Sequence, residues 1–572
     1  MYRQILDPAG SPALSAAFAA LPLVVLLVLL GVVRMKSHLA GLIGLAASIL
    51  IAVAVYGMPL GQAADGALEG AAFGLFPIVW IILNAVWISK LQRSSGHFDI
   101  IGRTFTSLSN DTRVQAILIA YCFGAMIESL AGFGTPIAIT SIMLMALGLK
   151  PLKAAAVATL ANTAPAAFGS LGNPIQALAK VTSYSEHDLG SMVGRQSAII
   201  AALVPFVLLL MMDGRRGLRE AWPAALTAGV GFGVGQYLCS NYFTYQLCDL
   251  AGALTATVAV IILLQFWSRG RGTTTGMPVT ALSAAGGTPL VMAADGSPAH
   301  SGLALDTADA DGGDAPADPG SGHRDSRFEI LKAFSPYILL TALFALTSVQ
   351  SPIQKFVASQ KFSFVWPGLH VVSAHGKPVA IAKFDLGWLG AAGTMLLITG
   401  ALTVLILRVR LGRALRCYGE AMSQIRWAVL TICCVLALSY VMNLAGMAIS
   451  LGTWLAGLGG AFALLSGFLG WFGVALTGSD TSSNALFGAM QVAAAHRIGI
   501  SPLLMAATNS TGGVQGKAAA MQNLAIAASA VGLSGKEGDI LRKVIGWSLG
   551  LLAVFCIVAW LQSTSVLSWM VL

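Results

Sequence analysis

Apolar residues run along this chain in stretches far longer than soluble helices carry, and short polar or basic turns separate them. Leu21 to Val33, Ile199 to Met212, Leu250 to Trp267 and Leu549 to Leu561 are the plainest, and about 20 such residues cross a bilayer. A membrane barrel would instead alternate with period two over segments of about ten residues. That alternation is absent, so the pattern predicts an all-α polytopic membrane protein. Its first series of spans falls near residues 14–33, 38–56 and 68–90, a hairpin at 114–149, an interrupted segment at 151–180, then 192–212, 219–237 and 249–267. A second series falls at 328–350, 386–407 and 427–447, a hairpin at 459–496, an interrupted segment at 502–531, and 546–570. Residues 268–326 hold seven acids among Gly, Ala and Ser with no hydrophobic period. They read as a disordered cytoplasmic linker. Residues 351–385, with four lysines and Trp366-Pro367, read as an external loop forming a small cap.

Composition agrees: of 572 residues, 56% are hydrophobic and 10% charged, with a mean hydropathy of +0.79. The net charge of +9 does not call for nucleic acid, because the basic residues sit in short turns. Those turns are Arg34 and Lys36, 90–113, 150–153, 215–219, 269–332, 408–426 and 536–543. They hold 24 of the 33 Lys and Arg residues, all on one predicted face. The positive-inside rule makes that face cytoplasmic and puts the N-terminus outside. The first span lacks a small-residue cleavage site and is expected to be retained. Trp222, Trp267, Trp388, Trp427 and Trp569 sit near span ends, where indoles anchor to the interface.

The two series match. Asn162-Thr163 and Gly169 lie 347 positions before Asn509-Ser510 and Gly516, and Thr135 precedes Asn162 by 27 residues where Thr481 precedes Asn509 by 28. On charge counting the first hairpin enters from the cytoplasm and the second from outside. This predicts two inverted-topology repeats, each with a helical hairpin and an interrupted helix. They occupy residues 1–212 and 328–572, joined by two connecting helices (213–267) and the linker (268–327).

Polar groups concentrate where hydropathy expects membrane. Gly473 to Met490, G-V-A-L-T-G-S-D-T-S-S-N-A-L-F-G-A-M, brings Thr477, Ser479, Asp480, Thr481, Ser482, Ser483 and Asn484 to that depth. Such groups cost several kcal/mol in hydrocarbon unless they face protein or a water-filled cavity. The first-half counterpart is E-S-L-A-G-F-G-T-P, Glu128 to Pro136, with Gly132 and Thr135 at its tip. Each hairpin precedes a break: N-T-A-P-A-A-F-G-S-L-G-N-P from Asn162 to Pro174, holding Thr163, Gly172 and Asn173, and N-S-T-G-G-V-Q-G-K from Asn509 to Lys517, holding Ser510. The two prolines and two glycines of the first cannot sustain a straight helix. Broken helices expose amide ends that suit a carboxylate and carbonyl ends that suit a cation. The bland alternative is that glycine and proline only permit kinks and close packing; the clustered Asn, Ser and Thr favour a site.

Glu128, Asp480 and Lys517 are the charges placed well inside the membrane. Glu128 or Asp480 could carry a proton and Lys517 attract a substrate carboxylate. Alternatively Asp480 and Lys517 simply neutralise each other. Gly512 to Lys517 lacks the glycine spacing, following hydroxyl and preceding strand of a phosphate loop. The glycines of 229–235 read as helix-packing positions. No H-E-x-x-H, metal-ligand spacing or cofactor motif appears, which argues against an enzyme. The seven cysteines show no C-x-x-C; Cys239 and Cys248 flank one external turn, where a disulfide stays open.

At these four motifs the chain resembles the bacterial L-lactate permease family, over essentially its whole length. The resemblance implies an inner-membrane symporter of protons with L-lactate and related 2-hydroxymonocarboxylates such as D-lactate and glycolate. It also implies kinship with carriers of the ion transporter superfamily, with the bilayer, substrate and protons as partners and no nucleic acid. A homo-oligomer is left open. The alternatives are a sodium-coupled carrier of a larger carboxylate or dicarboxylate, and a non-transport subunit or enzyme of a membrane complex.

Overall fold

In a computed structural model the chain is a bundle of helices, with residues 1–130, 132, 134–267, 325–348 and 352–572 described. The predicted linker lies almost wholly outside the described residues. Nine helices among those described are long and apolar enough to cross a membrane. Side chains such as Val24, Val28, Val234, Leu238, Ile262 and Trp560 face outward, as a lipid-facing surface requires.

The first series comprises α1 (Pro12–Gly31), α2 (Ser37–Ala54), α3 (Leu60–Phe73) and α4 (Trp80–Ser94), then the amphipathic α5 (His97–Thr106). The first hairpin rises through α6 (Thr112–Ala116), a π-helical stretch and α7 (Gly124–Leu130), and returns as α8 (Thr135–Ala146). α9 (Pro151–Ala161) and α10 (Gly169–Thr182) form the interrupted segment. α11 (Glu186–Tyr242) covers 57 residues, and Gly214 (φ 60°, ψ −145°) folds it into two antiparallel arms. Its glycines alternate for a reason. A Cβ on Gly229 or Gly233 would strike Ala202 or Ala198 of the first arm, and one on Gly231 or Gly235 would strike α12 (Cys248–Phe266) at Ala256 or Thr255. The alternation therefore packs one arm between two neighbours.

The second series comprises α13 (Arg327–Ser348), α14 (Pro352–Ser359), α15 (Ala392–Ile406) and α16 (Leu411–Ala445). A short α17 (Met447–Leu455), not separated in the sequence reading, follows the left-handed Gly446. The second hairpin is α18 (Ala461–Thr477) and α19 (Asp480–Ile498); the second interrupted segment is α20 (Pro502–Gly516) and α21 (Met521–Ala530); α22 (Glu537–Gln562) ends the bundle. Helix starts follow sequence rules. Pro12, Pro136, Pro151 and Pro502 occupy first turns, and Ser185 and Ser501 accept backbone N–H groups there.

The loop before α15 is ordered as a cap. Strands β2 (Phe362–Val365) and β4 (Lys383–Leu386) pair antiparallel, and β1 (Tyr2–Arg3) pairs parallel with β3 (Val371–Val372). The strand at 383–386 explains why α15 starts later than predicted. Side chains tie the basic turns together: Arg103 to Asp325, Lys90 to Glu420, and Arg113 to Asp213 and Glu220. On the opposite face the Tyr2 hydroxyl donates to the carbonyls of Tyr56 and Ala445, and Lys180 donates to the carbonyl of Lys383 in the cap. Cys239 and Cys248 are free thiols, both donating to the carbonyl of Thr244.

One expectation needs correcting. Glu128, Asp480 and Lys517 are not the only charges deep in the bundle, because Glu69 and Asp249 are fully buried as well. Asp249 opens α12 beside Gln236, whose amide lies 3.4 Å from one carboxylate oxygen.

Candidate functional site

Each hairpin turns at a glycine in the left-handed region, Gly134 (φ 76°) and Gly478 (φ 76°). Added Cβ atoms there would touch Ile526 and Gln522 respectively. Those two residues lie one turn apart on α21, so the tips of both hairpins meet one face of a single helix.

In the first half the Glu128 carboxyl lies among glycines. A Cβ on Gly169 would sit 2.7 Å from its Oε1, and one on Gly132 3.1 Å away. α10 opens with Ser170, Leu171 and Gly172 all left-handed (φ 50°, 56° and 75°). Two of the three carry side chains, and such conformations cost roughly 1–3 kcal/mol each. This turn brings the Ser170 hydroxyl within 3.3 Å of the Gly132 N–H, linking break to tip. Asn162, at the end of α9, donates to Glu128 Oε2 at 3.0 Å.

In the second half Asp480 opens α19, where the free N–H groups of a helix start favour a carboxylate. Ser479 caps that helix by accepting from the Ser482 N–H. Ser510 of α20 donates to Asp480 Oδ2 at 2.6 Å, and the Asn484 amide lies 3.3 Å from the same oxygen. A Cβ on Gly513 would come within 2.5 Å of Oδ1. Asn509 donates to Asn484 Oδ1 at 2.9 Å, extending the network into α20.

At the site itself, two buried contacts join the halves. Lys517, in the turn between α20 and α21, places Nζ 2.5 Å from Glu128 Oε1. The Asn484 amide lies 3.1 Å from the carbonyl of Pro174. Around them is a cavity of about 100 Å³, lined from the first half by Glu128, Ser170 and Asn173 and from the second by Ser479 to Ser482, Lys517 and Asn523. Ser37, at the start of α2, and Thr431, midway along α16, also line it. A water fills roughly 10–15 Å³ on this measure. The space therefore suits a molecule of a handful of non-hydrogen atoms.

A model of the L-lactate permease family matches residues 15–566. The chain belongs to the L-lactate permease family. The glycolate permease GlcA of Escherichia coli (strain K12) is 38% identical to it over 98% of each chain. The L-lactate permeases of Bacillus subtilis (strain 168) and Escherichia coli (strain K12) are 38% and 36% identical over 100% of both chains. It is thus a transporter rather than an enzyme, and a multi-pass protein of the bacterial inner membrane.

Within the permease, Glu128, Gly132, Asn173, Ser479, Asp480, Thr481, Ser482 and Lys517 line the cavity. Asn162, Asn484, Asn509 and Ser510 stand behind it, hydrogen-bonded to its carboxyls or to each other. The remainder play other parts. Thr163 and Ser483 turn their hydroxyls to the carbonyls of Leu160 and Gly470. Gly172 lies against the Tyr245 ring. Thr135 starts α8, with its N–H on the Gly132 carbonyl. The ion pair differs from the one weighed from sequence, since Lys517 is in contact with Glu128 while Asp480 is held by neutral donors. Sequence reading passed over Ser170, Gln522 and Asn523, although all lie inside the predicted interrupted segments. For Ser37 and Thr431 there was no local signal.

Proposed function

We propose that the permease takes up L-lactate and related 2-hydroxymonocarboxylates, D-lactate and glycolate among them, by symport with one proton. The observation that carries this reading is the Lys517–Glu128 pair across the cavity. A buried ammonium stripped of its anion is strongly unfavourable, by about 3–5 kcal/mol. Lys517 therefore needs one counter-anion in every state. Empty, it has ionised Glu128. When Glu128 takes up a proton, Lys517 is released to bind the substrate carboxylate, and lactate and proton occupy the site together. One anion and one proton then cross with no net charge. Ser170, Asn173 and the hydroxyls of Ser479 to Ser482 are placed to meet the 2-hydroxyl group, and Asp480 with Ser510 and Asn484 fixes the start of α19.

The names of the relatives support the substrate class, and the small cavity favours a monocarboxylate over a larger acid. The arrangement also supports two inverted repeats (1–212 and 328–572), since the first hairpin starts beside the basic turns at Arg113 and the second starts from the opposite face near α17. The purified protein in vesicles tests the whole reading. An inward proton gradient without sodium should drive L-lactate accumulation, with glycolate and D-lactate competing and malate not. A sodium requirement, or movement of lactate unaccompanied by protons, would overturn it.

A further inference from the structure

The mechanism above leaves a second buried acid unused. Asp65 and Glu69 lie one turn apart on α3, hence on one face of it. Asp65 is half-buried beneath the cap, where a Cβ on Gly368 would touch its Oδ2. Glu69 is completely buried, and neither carboxyl oxygen meets a hydrogen-bond partner among the described residues. Gly70 presses α3 onto the backbone of α16 at Leu436 and Ala437. One turn along α16 stands Tyr440, also fully buried, with a hydroxyl that likewise meets no partner among the described residues. Lys180 of α10 approaches from the third side, its Nζ 5.9 Å from the centre of the Phe73 ring and donating to the carbonyl of Lys383. Lys180 and Tyr440 both lie close enough to Glu69 to interact with it electrostatically. The other titratable groups facing this cluster are Cys433 of α16 and, from the cap, Lys361, Lys383 and Asp385, which act on Lys180. α2 brings only His38, at its opposite end, and residues 74–79 bring none.

A mid-helix carboxylate with no partner, walled off from water, is expensive. It is stable there as the neutral acid, or as the anion once an ammonium reaches it. Lys180 can supply that ammonium, and its helix is also a wall of the central cavity. Six residues separate Lys180 from Pro174, roughly 9 Å along α10. A shift of α10 that opens the cavity to the cap side therefore moves Lys180 relative to Glu69. Inward, Ser439 beside Tyr440 donates to the carbonyl of Ala485, the neighbour of Asn484.

We propose that Glu69 is a second proton-binding group of the permease, the outer station of the route, flanked by Lys180 and Tyr440. This rests on the proton-symport reading. The carboxylate takes a proton from external water by way of Asp65. It gives that proton up inward, by way of the Tyr440 hydroxyl and water, to the ionised Glu128 carboxylate of the empty site as Lys180 takes over as counter-ion; one O–H bond breaks at Glu69 and one forms at Glu128.

The test uses the full chain in proteoliposomes with a pH-sensitive dye inside. Glu69→Gln should lower gradient-driven lactate accumulation and lactate-linked proton influx at least about tenfold, as expected for loss of a proton-transfer group, and abolish their dependence on external pH. Its lactate counterflow at equal pH should persist. Tyr440→Phe should slow proton influx about threefold or more and spare counterflow; it removes one oxygen and keeps the packing, so it carries the test should Glu69→Gln fail to fold. Wild-type external-pH dependence in both variants would overturn the proposal. So would a Glu69→Gln protein that loses counterflow and accumulation together while Tyr440→Phe behaves as wild type. Failure of the underlying reading looks different: the unaltered protein would then show lactate counterflow without any proton influx, overturning both.

Discussion

The two half-sites are built from like parts and hold their acids in unlike ways. Each has a hairpin turning at a left-handed glycine, an acid near the tip, and a glycine of the following broken helix pressed against that acid, Gly169 on Glu128 and Gly513 on Asp480. Glu128 nevertheless takes its counter-charge from the other half of the chain, 389 positions away, whereas Asp480 takes neutral donors, Ser510 and Asn484 of its own half, both on Oδ2, and its Oδ1 meets no hydrogen-bond partner among the described residues. An acid bound to a cation that a substrate also wants can trade places with that substrate. One bound to neutral donors has no such competitor. The first acid is suited to coupling and the second to holding shape.

Removing Lys517 breaks this comparison most severely. Lys517→Met should reduce L-lactate uptake and exchange together by about ten- to a hundredfold, the usual consequence of losing a hydrogen bond to a charged group. Exchange measured in the Lys517→Met/Glu128→Gln double variant decides the role. Recovery to wild-type exchange would mean that Lys517 serves only to neutralise Glu128.

The next effect separates coupling from binding. Glu128→Gln should abolish uphill uptake yet retain exchange of internal for external lactate, because exchange needs no net proton movement. The sign with pH follows from competition. If proton and lactate are taken up together as proposed, apparent lactate affinity in the wild type should fall as external pH rises; in the variant that decline should disappear. An unchanged pH profile in Glu128→Gln vesicles would transfer the coupling role elsewhere.

Much of this site was legible beforehand, for a physical reason. Hydrocarbon forbids unpaired polar groups, so Asn, Ser, Thr and charge beside Gly and Pro within an apolar run mark a protein-lined cavity. That logic located both hairpin tips and the first break, with Asn162 at Glu128 and Ser510 at Asp480; the second helix runs unbroken from Asn509 to Gly516 and is interrupted only at Lys517 to Ala520. It did not reveal which acid Lys517 would choose, since that depends on how two distant halves dock. It missed Glu69 because that residue sits one position inside the predicted span 68–90, at an end where charge draws no notice. Asp249 was missed because it sits at a predicted span boundary, where charge is unremarked. Ser37 and Thr431 come from helices that lean over the cavity, and nothing local sets them apart.

Glycine substitutions probe both halves with one chemical change. Gly169→Ala places a methyl 2.7 Å from Glu128 Oε1, and Gly513→Ala places one 2.5 Å from Asp480 Oδ1. Overpacking of this kind typically costs about 1–3 kcal/mol. The functional outcomes should nonetheless differ. Displacing Glu128 should weaken proton coupling, measured as the steady accumulation ratio, whereas displacing Asp480 should lower the amount of folded protein and leave the ratio per folded molecule intact. Equal loss of coupling in both would erase the distinction between the acids.

The mildest change concerns a single hydroxyl. Ser510→Ala deletes the donor 2.6 Å from Asp480 Oδ2 but leaves the Asn484 amide 3.3 Å from the same oxygen. With one of two donors kept, the cost should fall near the ordinary range for a hydrogen bond, about 0.5–1.5 kcal/mol. That corresponds to roughly a two- to tenfold weaker apparent affinity for lactate, with the proton-to-lactate ratio unaltered. Initial uptake rates across a lactate series, with proton influx recorded in parallel, measure both quantities. A Ser510→Ala protein that binds lactate normally but moves fewer protons per lactate would show that Asp480 shares the coupling with Glu128, and the two halves would then be alike in function as well as in form.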